Sequence, residues 1–373
     1  MKTIPIGVVL LGFSLIGSLI GQDTRGSKQK QPPAVPAQST TKPAPLEVPS
    51  EPPAAALTPP TDAELRAAHV NESGMIPMLE YHEINSHKGP MSRSIARFRA
   101  DLERLYKEGY RPITTAEYLD NAIDLPIGKS PVIFTFDDAR TTQFRYRKDG
   151  TIEPNCALGI LQAFAKKHPD FPVKAMFYVL PASAFGSSHK VAAQKMKALL
   201  DMGCELGNHT LNHHYFYHMT DSQIVREIAM GKAVTEKMTP GAKLDVLALP
   251  GGCLPRSKNG KILMAGKYGG TSYKNRAVIM AWGGPSPSPV SPKFNPQRIP
   301  RVLGVDTPGG IPTALNYLKR NPDKRYVSDG DPDTITVPKR LAKLVDKTKL
   351  QDATLRFYVD TAEPRAKTKA HKK

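Results

Sequence analysis

Residues 131–138 read Pro131-Val132-Ile133-Phe134-Thr135-Phe136-Asp137-Asp138, an apolar run that ends in two carboxylates. The run is apolar on both faces, which is typical of a strand in a parallel sheet that is covered by helices. Such sheets bind ligands at the carboxyl ends of their strands, where Asp137 and Asp138 lie. Two neighbouring carboxylates can divide the work, with one binding a cation and the other accepting a proton. The alternative is a strand-ending pair that caps a turn or a helix.

Strand and helix patterns alternate on both sides of this run. Apolar runs predict strands, and apolar residues at helical spacing predict helices between them. This alternation predicts an α/β fold, and so many repeats favour a distorted (β/α) barrel over an open sheet. The predicted strands are 75–81, 131–136, 173–180, 205–207, 244–249, 277–282 and 298–303, and the predicted helices are 94–107, 157–167, 191–202 and 224–238.

The two ends of the chain differ from this pattern. Residues 1–21 carry Lys2 and an apolar run, which predicts a secretory signal peptide or, as the alternative, an uncleaved N-terminal anchor. Residues 22–73 are rich in proline and predict a disordered linker. The folded domain is then expected at 74–305, followed by a C-terminal extension with a basic tail at 306–373.

Composition excludes some classes of protein. The chain has 373 residues, 40% of them hydrophobic, which excludes a protein with many membrane spans. Its formal net charge of +18 favours anionic polymers or membrane surfaces as partners. Nucleic acid is not expected for an exported chain. The three cysteines are widely spaced and are predicted to be free thiols, with a single disulfide as the alternative.

A second motif is His209-Thr210-Leu211-Asn212-His213, which follows a predicted strand. Two histidines four residues apart on a helical turn face the same side and can share one metal ion. Zinc proteases use a similar spacing with a glutamate as the base, but Thr210 occupies that position here. The nearby His214 and His218 are either surface residues or alternative ligands.

A third motif, Pro250-Gly251-Gly252, ends the predicted strand 244–249. Glycines leave backbone that a ligand can approach, and their N–H groups can stabilise an oxyanion. An ordinary loop is the alternative.

In this order and spacing, the motifs resemble the polysaccharide deacetylases with the NodB homology domain, carbohydrate esterase family 4. The resemblance runs from about Met75 to Val302. The opening segment Glu80-Tyr81-His82-Glu83-Ile84 is similar to the start of the poly-N-acetylglucosamine deacetylase branch. The family implies an NodB-type distorted barrel that removes N-acetyl groups from a polysaccharide.

The resemblance also implies roles for individual residues. Asp138, His209 and His213 would hold one divalent metal, with Zn²⁺ expected and Co²⁺ or Ni²⁺ as alternatives. Asp137 would be the general base. The N–H of Gly251 would stabilise the oxyanion, in a motif where Pro250 would contact the substrate. Trp282, the only tryptophan, would stack on a sugar ring, with core packing as the alternative.

The sequence departs from the family at several positions. Ala139 replaces the glycine that usually follows the aspartate pair, and Ala248 and Gly251 replace larger residues. The family's late histidine, its usual general acid, has no counterpart, because only His371 follows His218. His82 is the candidate acid, and a structural role is its alternative.

The sequence therefore predicts an exported, metal-dependent N-deacetylase of an extracellular or cell-wall polysaccharide. Its expected location is periplasmic, attached to the cell envelope or extracellular, with membrane anchoring by the N-terminus as the alternative. The basic tail is expected to bind an anionic envelope polymer or a membrane surface. Two alternative functions are a catalytically degenerate module that binds glycan and a hydrolase that cleaves another amide or ester.

Overall fold

The computed structural model describes residues 58–86, 89 and 91–360. The predicted signal or anchor at 1–21, most of the predicted linker and the basic residues of the tail lie outside the described residues. Within the described part of the chain, no helix combines the length and the apolar character that a membrane span requires.

The helices begin close to the predicted positions where the sequence carries a cap. Thr220, for example, accepts from the backbone N–H of Gln223, whose side chain bonds back, so α6 starts with a capping box. The helices are α1 (Asp62–Ala68), α2 (Ile95–Lys107), α3 (Thr115–Leu119), α4 (Ala157–Lys167), α5 (His189–Asp201), α6 (Asp221–Met238), α7 (Lys261–Met264) and α8 (Ile311–Arg320).

All seven predicted strands have a counterpart, most of them shorter than predicted. The strands are β1 (Met78–Tyr81), β2 (Glu83–Asn85), β3 (Ser92–Ser94), β4 (Tyr110–Pro112), β5 (Ser130–Phe136), β6 (Met176–Val179), β7 (Glu205–Asn208), β8 (Val246–Ala248), β9 (Ala265–Tyr268), β10 (Thr271–Lys274), β11 (Ala277–Ile279), β12 (Val302–Leu303), β13 (Thr334–Pro338) and β14 (Thr354–Tyr358).

Eight parallel strands form the main sheet. Their order is β11-β8-β7-β6-β5-β1-β12, and β4 pairs with the first half of β5. The segment 299–303 reaches both edges of this sheet, because Ile299 pairs with Ile279 of β11 while Val302 pairs with Leu79 of β1. The sheet is thereby curled into a distorted (β/α) barrel, which confirms the predicted fold class.

Neighbouring residues of a strand pack on opposite faces of the sheet, into separate apolar clusters. Phe134, on β5, packs with residues of α2, α4 and α5, so its face of the sheet is covered by helices. Ile133, its neighbour on β5, packs with Met78 and Ile279 in the barrel interior. Thr135 and Asp137 follow Ile133 at strand spacing, so they extend the interior face. The barrel is therefore apolar for most of its length and polar at the carboxyl ends of its strands.

The folded unit extends beyond the predicted boundaries at both ends. It begins at Thr58, and α1 lies in residues that were assigned to the linker. Leu65 of α1 packs with Val70 and Tyr358, because the proline-rich pattern stops at Pro60 and an amphipathic helix follows. In the predicted C-terminal extension, Leu315 of α8 packs into the same core as the helices of the barrel. Residue 306 is therefore not a boundary between separate cores.

Candidate metal centre and catalytic site

The two carboxylates at the end of β5 do not simply alternate like strand residues. Asp138 has φ 72° and Ala139 has φ 48°, so the chain turns sharply in the left-handed region. This turn lets Asp137 and Asp138 serve one pocket, although neighbours on a strand point to opposite faces. It also explains why a glycine suits position 139, since alanine is strained at positive φ.

His209 and His213 both approach one oxygen of Asp138. The Nε2 atom of each histidine lies 3.4 Å from Asp138 Oδ1. The histidines do not lie on a helical turn, as the sequence predicted, but in an irregular loop after β7 where Thr210 and His213 have positive φ. Thr210 shapes this loop, because its hydroxyl accepts from the backbone N–H of His213 at 3.0 Å.

The protein leaves two buried atoms of this cluster without a partner. Asp138 Oδ1 and His209 Nε2 have no hydrogen bond to any described residue. His209 Nδ1 lies 3.0 Å from the carbonyl oxygen of Ala248, which fixes Nδ1 as the donor and leaves the lone pair on Nε2. Buried polar atoms rarely stay unpaired, so two such atoms that converge with His213 fit a divalent cation. Asp138, His209 and His213 form a group whose ligand atoms all lie within 4.8 Å of one another.

Asp137 is held by a buried arginine. The two terminal nitrogens of Arg301 donate to Asp137 Oδ1 and Oδ2, each at 2.7 Å. Burial disfavours ionisation of Asp137, but Arg301 outweighs it and lowers the pKa of this carboxyl. For Asp138, burial also opposes ionisation, and its polar neighbours, which include the ion-paired Arg140, hold the pKa well below its usual range. Both aspartates are therefore carboxylates.

Glu80 and His82 complete the polar end of the barrel. His82 Nε2 lies 3.8 Å from Glu80 Oε1 and 3.9 Å from Asp137 Oδ2. Burial raises the pKa of Glu80 well above its usual value, although Arg301 opposes this. Burial lowers the pKa of His82. A buried carboxyl that tends to be neutral thus lies near an ionised one, and environments that push pKa values apart are typical of acid–base sites.

Glu80, His82 and Asp137 also form a cluster with metal-ligand spacing. Arg301 already neutralises Asp137 and lies 3.3 Å from Glu80 Oε2. A second cation there would be repelled by the guanidinium. Arg140 also pairs with Asp138, but this exposed side chain donates only to Oδ2 and leaves Oδ1, which faces the two histidines, without a partner. The cluster of Asp138, His209 and His213 is therefore the better metal site.

A family comparison matches the region that carries this cluster. Residues 125–268 match the family model described as polysaccharide deacetylase, and they include both carboxylates, both histidines and the Pro250 loop. This segment is a polysaccharide deacetylase domain. No curated protein matches the chain.

Three solved structures resemble this chain. The deacetylase PplD of Streptococcus pyogenes, solved with acetate, is 18% identical over 61% of this chain and 92% of its own, with a TM-score of 0.46. IcaB from Ammonifex degensii is 20% identical over 66% of this chain and 98% of its own, with a TM-score of 0.46. A polysaccharide deacetylase from Bacillus cereus is 21% identical over 61% of this chain, which spans 64% of that protein, with a TM-score of 0.46.

The third motif of the deacetylase domain forms a tight turn at Pro250–Gly252. Gly251 has φ 56°, and a Cβ atom at this position would lie 2.8 Å from Tyr215 Cε1. Tyr215 therefore occupies the space that a side chain at position 251 would need. Its ring centroid lies 6.0 Å from that of His213, so the tyrosine connects this turn with the candidate metal site.

The remaining predicted residues have different environments. Trp282 has 55% of its surface exposed, which excludes core packing, and its Cζ3 would lie 3.1 Å from a Cβ on Gly252. Pro250 is buried, and its contact with a substrate stays a prediction. His214 is turned toward Glu227 with 62% of its side chain exposed, and is not part of the cluster.

Two important residues were missed at the sequence level. Arg301 lies in the predicted strand 298–303, and a charged residue in a buried strand indicates a buried partner. Gln143 donates to the carbonyl oxygens of both His82 and Asp137, at 2.8 and 2.5 Å. Nothing in the sequence around Gln143 indicates this contact, because its partners are backbone atoms directly after the ends of β1 and β5.

Proposed function

We propose that this chain is a metal-dependent hydrolase that removes N-acetyl groups from an extracellular or cell-envelope polysaccharide. The observation that carries the proposal is the pair of unpartnered buried atoms, Asp138 Oδ1 and His209 Nε2, next to the ionised carboxylate of Asp137. The deacetylase family match of residues 125–268 supports it.

Asp138, His209 and His213 would hold the divalent metal, with zinc expected from three nitrogen and oxygen ligands. When bound, such an ion acidifies water and polarises a carbonyl group. Asp137 accepts the proton from the attacking water. Both of its oxygens accept from Arg301, but a carboxylate oxygen has a second lone pair for this proton. Oδ2 serves this role best, since it lies 3.9 Å from both His82 Nε2 and His209 Nε2 and so faces the site.

The rest of the reaction uses two further groups. The new C–O bond leaves negative charge on the former carbonyl oxygen, and the backbone N–H of Gly251 donates to it. The C–N bond then breaks as the leaving amine takes a proton from His82 Nε2. Because burial lowers the pKa of His82, this proton is the one that Asp137 Oδ2 accepted from water and passes to Nε2, which lies 3.9 Å away. The hydroxyl proton of the acetic acid passes to solvent, and the products are acetate and a free amino sugar. His82 would thus replace the missing late histidine.

The first test is metal content by elemental analysis of the purified full chain, with acetate release measured over a panel of N-acetylated glycans. We expect about one divalent ion per chain, lost in His213→Ala and retained in His214→Ala, the matched neighbour. Asp137→Asn should keep the metal but lose acetate release. A metal-free wild-type protein after incubation with zinc, cobalt or nickel would contradict the proposal and favour a glycan-binding module.

We also propose that the protein is exported through residues 1–21 and held near the envelope by its basic C-terminal tail. Support comes from the sequence alone, namely the apolar N-terminal run and the lysine-rich end of the chain. Fractionation of cells that express the full chain or a form without residues 1–21 tests this. Retention of both forms in the cytoplasm would contradict export.

A further inference from the structure

We propose that the cavity behind the third motif binds an acidic sugar unit of the substrate polymer. The cavity measures about 440 Å³, and its lining includes Tyr217, Leu254, Arg256, Lys258 and Arg298. This proposal deepens the proposed function, on which it rests, because it names the chemical class of the polysaccharide.

The charge of the cavity is the first argument. Its lining holds three cationic side chains and no acidic one among the described residues. Arg256, Lys258 and Arg298 are all exposed, and none of them has an ion pair with a carboxylate in the described part of the chain. Cations that line one cavity without counterions create a local positive potential that attracts an anion.

The shape of the cavity is the second argument. Leu254, Pro255 and Leu263 give it an apolar wall, and Tyr217 stands at its side with 53% of its surface exposed. An exposed aromatic ring with a polar edge is suited to the apolar face of a sugar ring. A small inorganic anion would use the cations but not this wall.

The loop that carries two of the cations is held in place. Asp221, at the start of α6, accepts from Ser257 Oγ at 2.6 Å and from Asn259 Nδ2 at 2.9 Å. Between them, Lys258 is fixed at φ 59°, a strained conformation for a lysine. Strain that is held by such contacts is found at binding sites, because a preorganised loop loses less entropy on binding.

The cavity is continuous in sequence with the candidate catalytic site. Leu254 follows the turn at Gly251, and Tyr217 follows Tyr215, which contacts that turn. Arg298 begins the segment in which Arg301 holds Asp137. The same three segments thus build both sites, as expected if successive units of one polymer occupy them.

The test measures the dissociation constants of two probes for the full chain by calorimetry. Hyaluronan hexasaccharide alternates N-acetylglucosamine with a carboxylated sugar, and chitohexaose is its neutral counterpart. We expect the acidic probe to bind about tenfold tighter at low salt, from three partly exposed ion pairs. The variant R256Q/K258Q/R298Q should lose this preference, and K166Q/K190Q/K339Q, with the same change in charge at exposed positions elsewhere, should keep it.

Equal affinity for the two probes, or an unchanged preference in R256Q/K258Q/R298Q, would overturn the proposal. Complete displacement of the acidic probe by an equal concentration of inorganic phosphate would also overturn the assignment to a sugar. These binding results do not depend on turnover. Failure of acetate release would therefore contradict the proposed function without affecting them.

Discussion

The guanidinium of Arg301 and the carboxylate of Asp137 form a two-point ion pair inside the barrel, with both N–O distances at 2.7 Å. Two further N–H groups of Arg301 donate to Thr135 Oγ1 and to the carbonyl oxygen of Met280, at 3.0 and 2.7 Å. The arginine is fully buried. Its position is thus fixed by contacts at the carboxyl ends of β5 and β11, which also fix the position of the proposed base.

Arg301→Lys should lower kcat by about a hundredfold, because a lysine cannot hold both oxygens and the base loses its orientation. The buried charge of Asp137 would be poorly compensated, which should also cost about 3 kcal/mol of unfolding free energy. Acetate-release kinetics and urea unfolding measure the two effects. Arg320→Lys, at an exposed position, is the control and should change neither. Unaltered kcat in Arg301→Lys would show that Asp137 does not need the ion pair with Arg301 to act as the base.

Gly251→Ala should impair both stability and activity. The new Cβ would lie 2.8 Å from Tyr215 Cε1, and the residue would keep φ 56°. Gly241→Ala is the control that separates backbone strain from the contact with Tyr215. Gly241 also has a positive φ, 87°, but nothing lies within 4 Å of the added Cβ. We expect the control to lose about 1 kcal/mol of unfolding free energy from strain alone. Only Gly251→Ala should reduce acetate release, and addition of Tyr215→Ala should restore part of it. Equal activity in the two single variants would contradict the close contact.

Of the three cysteines, Cys253 should react fastest with a maleimide. Its side chain is half-buried, while Cys156 and Cys204 are buried, and burial raises the pKa of the Cys204 thiol to about 12. Cys253 Sγ lies 3.5 Å from the carbonyl oxygen of Gly251, so a bulky adduct would crowd the turn. Mass spectrometry of the native protein should show one fast adduct, with a parallel loss of acetate release. Cys253→Ser should be resistant to the reagent, and fast labelling of Cys204 would contradict the packing described.

Titration of the Glu72 carboxyl should make the unfolding free energy depend on pH. Burial, followed by repulsion from Asp329, raises the pKa of Glu72 well above 4.5. Folding therefore favours the protonated form, so its stabilising contribution is complete below about pH 4.5 and is lost as the pH rises through the folded-state value.

Glu72→Gln removes this titration, so its unfolding free energy should fall less between pH 5 and 8 than that of the wild type. Each unit of pKa difference corresponds to about 1.4 kcal/mol. Asp124→Asn, at an exposed position, is the control and should keep the wild-type slope. Urea titrations across this range give the comparison. Equal slopes in Glu72→Gln and wild type would show that Glu72 is ionised in the folded protein.

The sequence predicted the strands and the main helices because their apolar periodicity is local. It identified the candidate ligands for the same reason, since Asp138 and His213 each belong to a short motif. The contacts that set their chemistry are not local. Arg301 is separated from Asp137 by 164 residues, and the left-handed turn at Ala139 lies where the family pattern predicts a glycine. Boundaries were missed where composition changes gradually, as between Pro60 and Gly74.

The closing segment 299–303 determines when the site can exist during synthesis. Asp137, Asp138 and both histidines leave the ribosome well before Arg301 does, and domains form from the N-terminus onward. Until residue 303 pairs with β1, the barrel is an open sheet and Asp137 is a buried charge without its cation. A nascent or truncated chain that ends before this segment would carry all the proposed metal ligands yet no oriented base. The proposed hydrolysis thus cannot begin until the segment 299–303 has been made and has paired with β1.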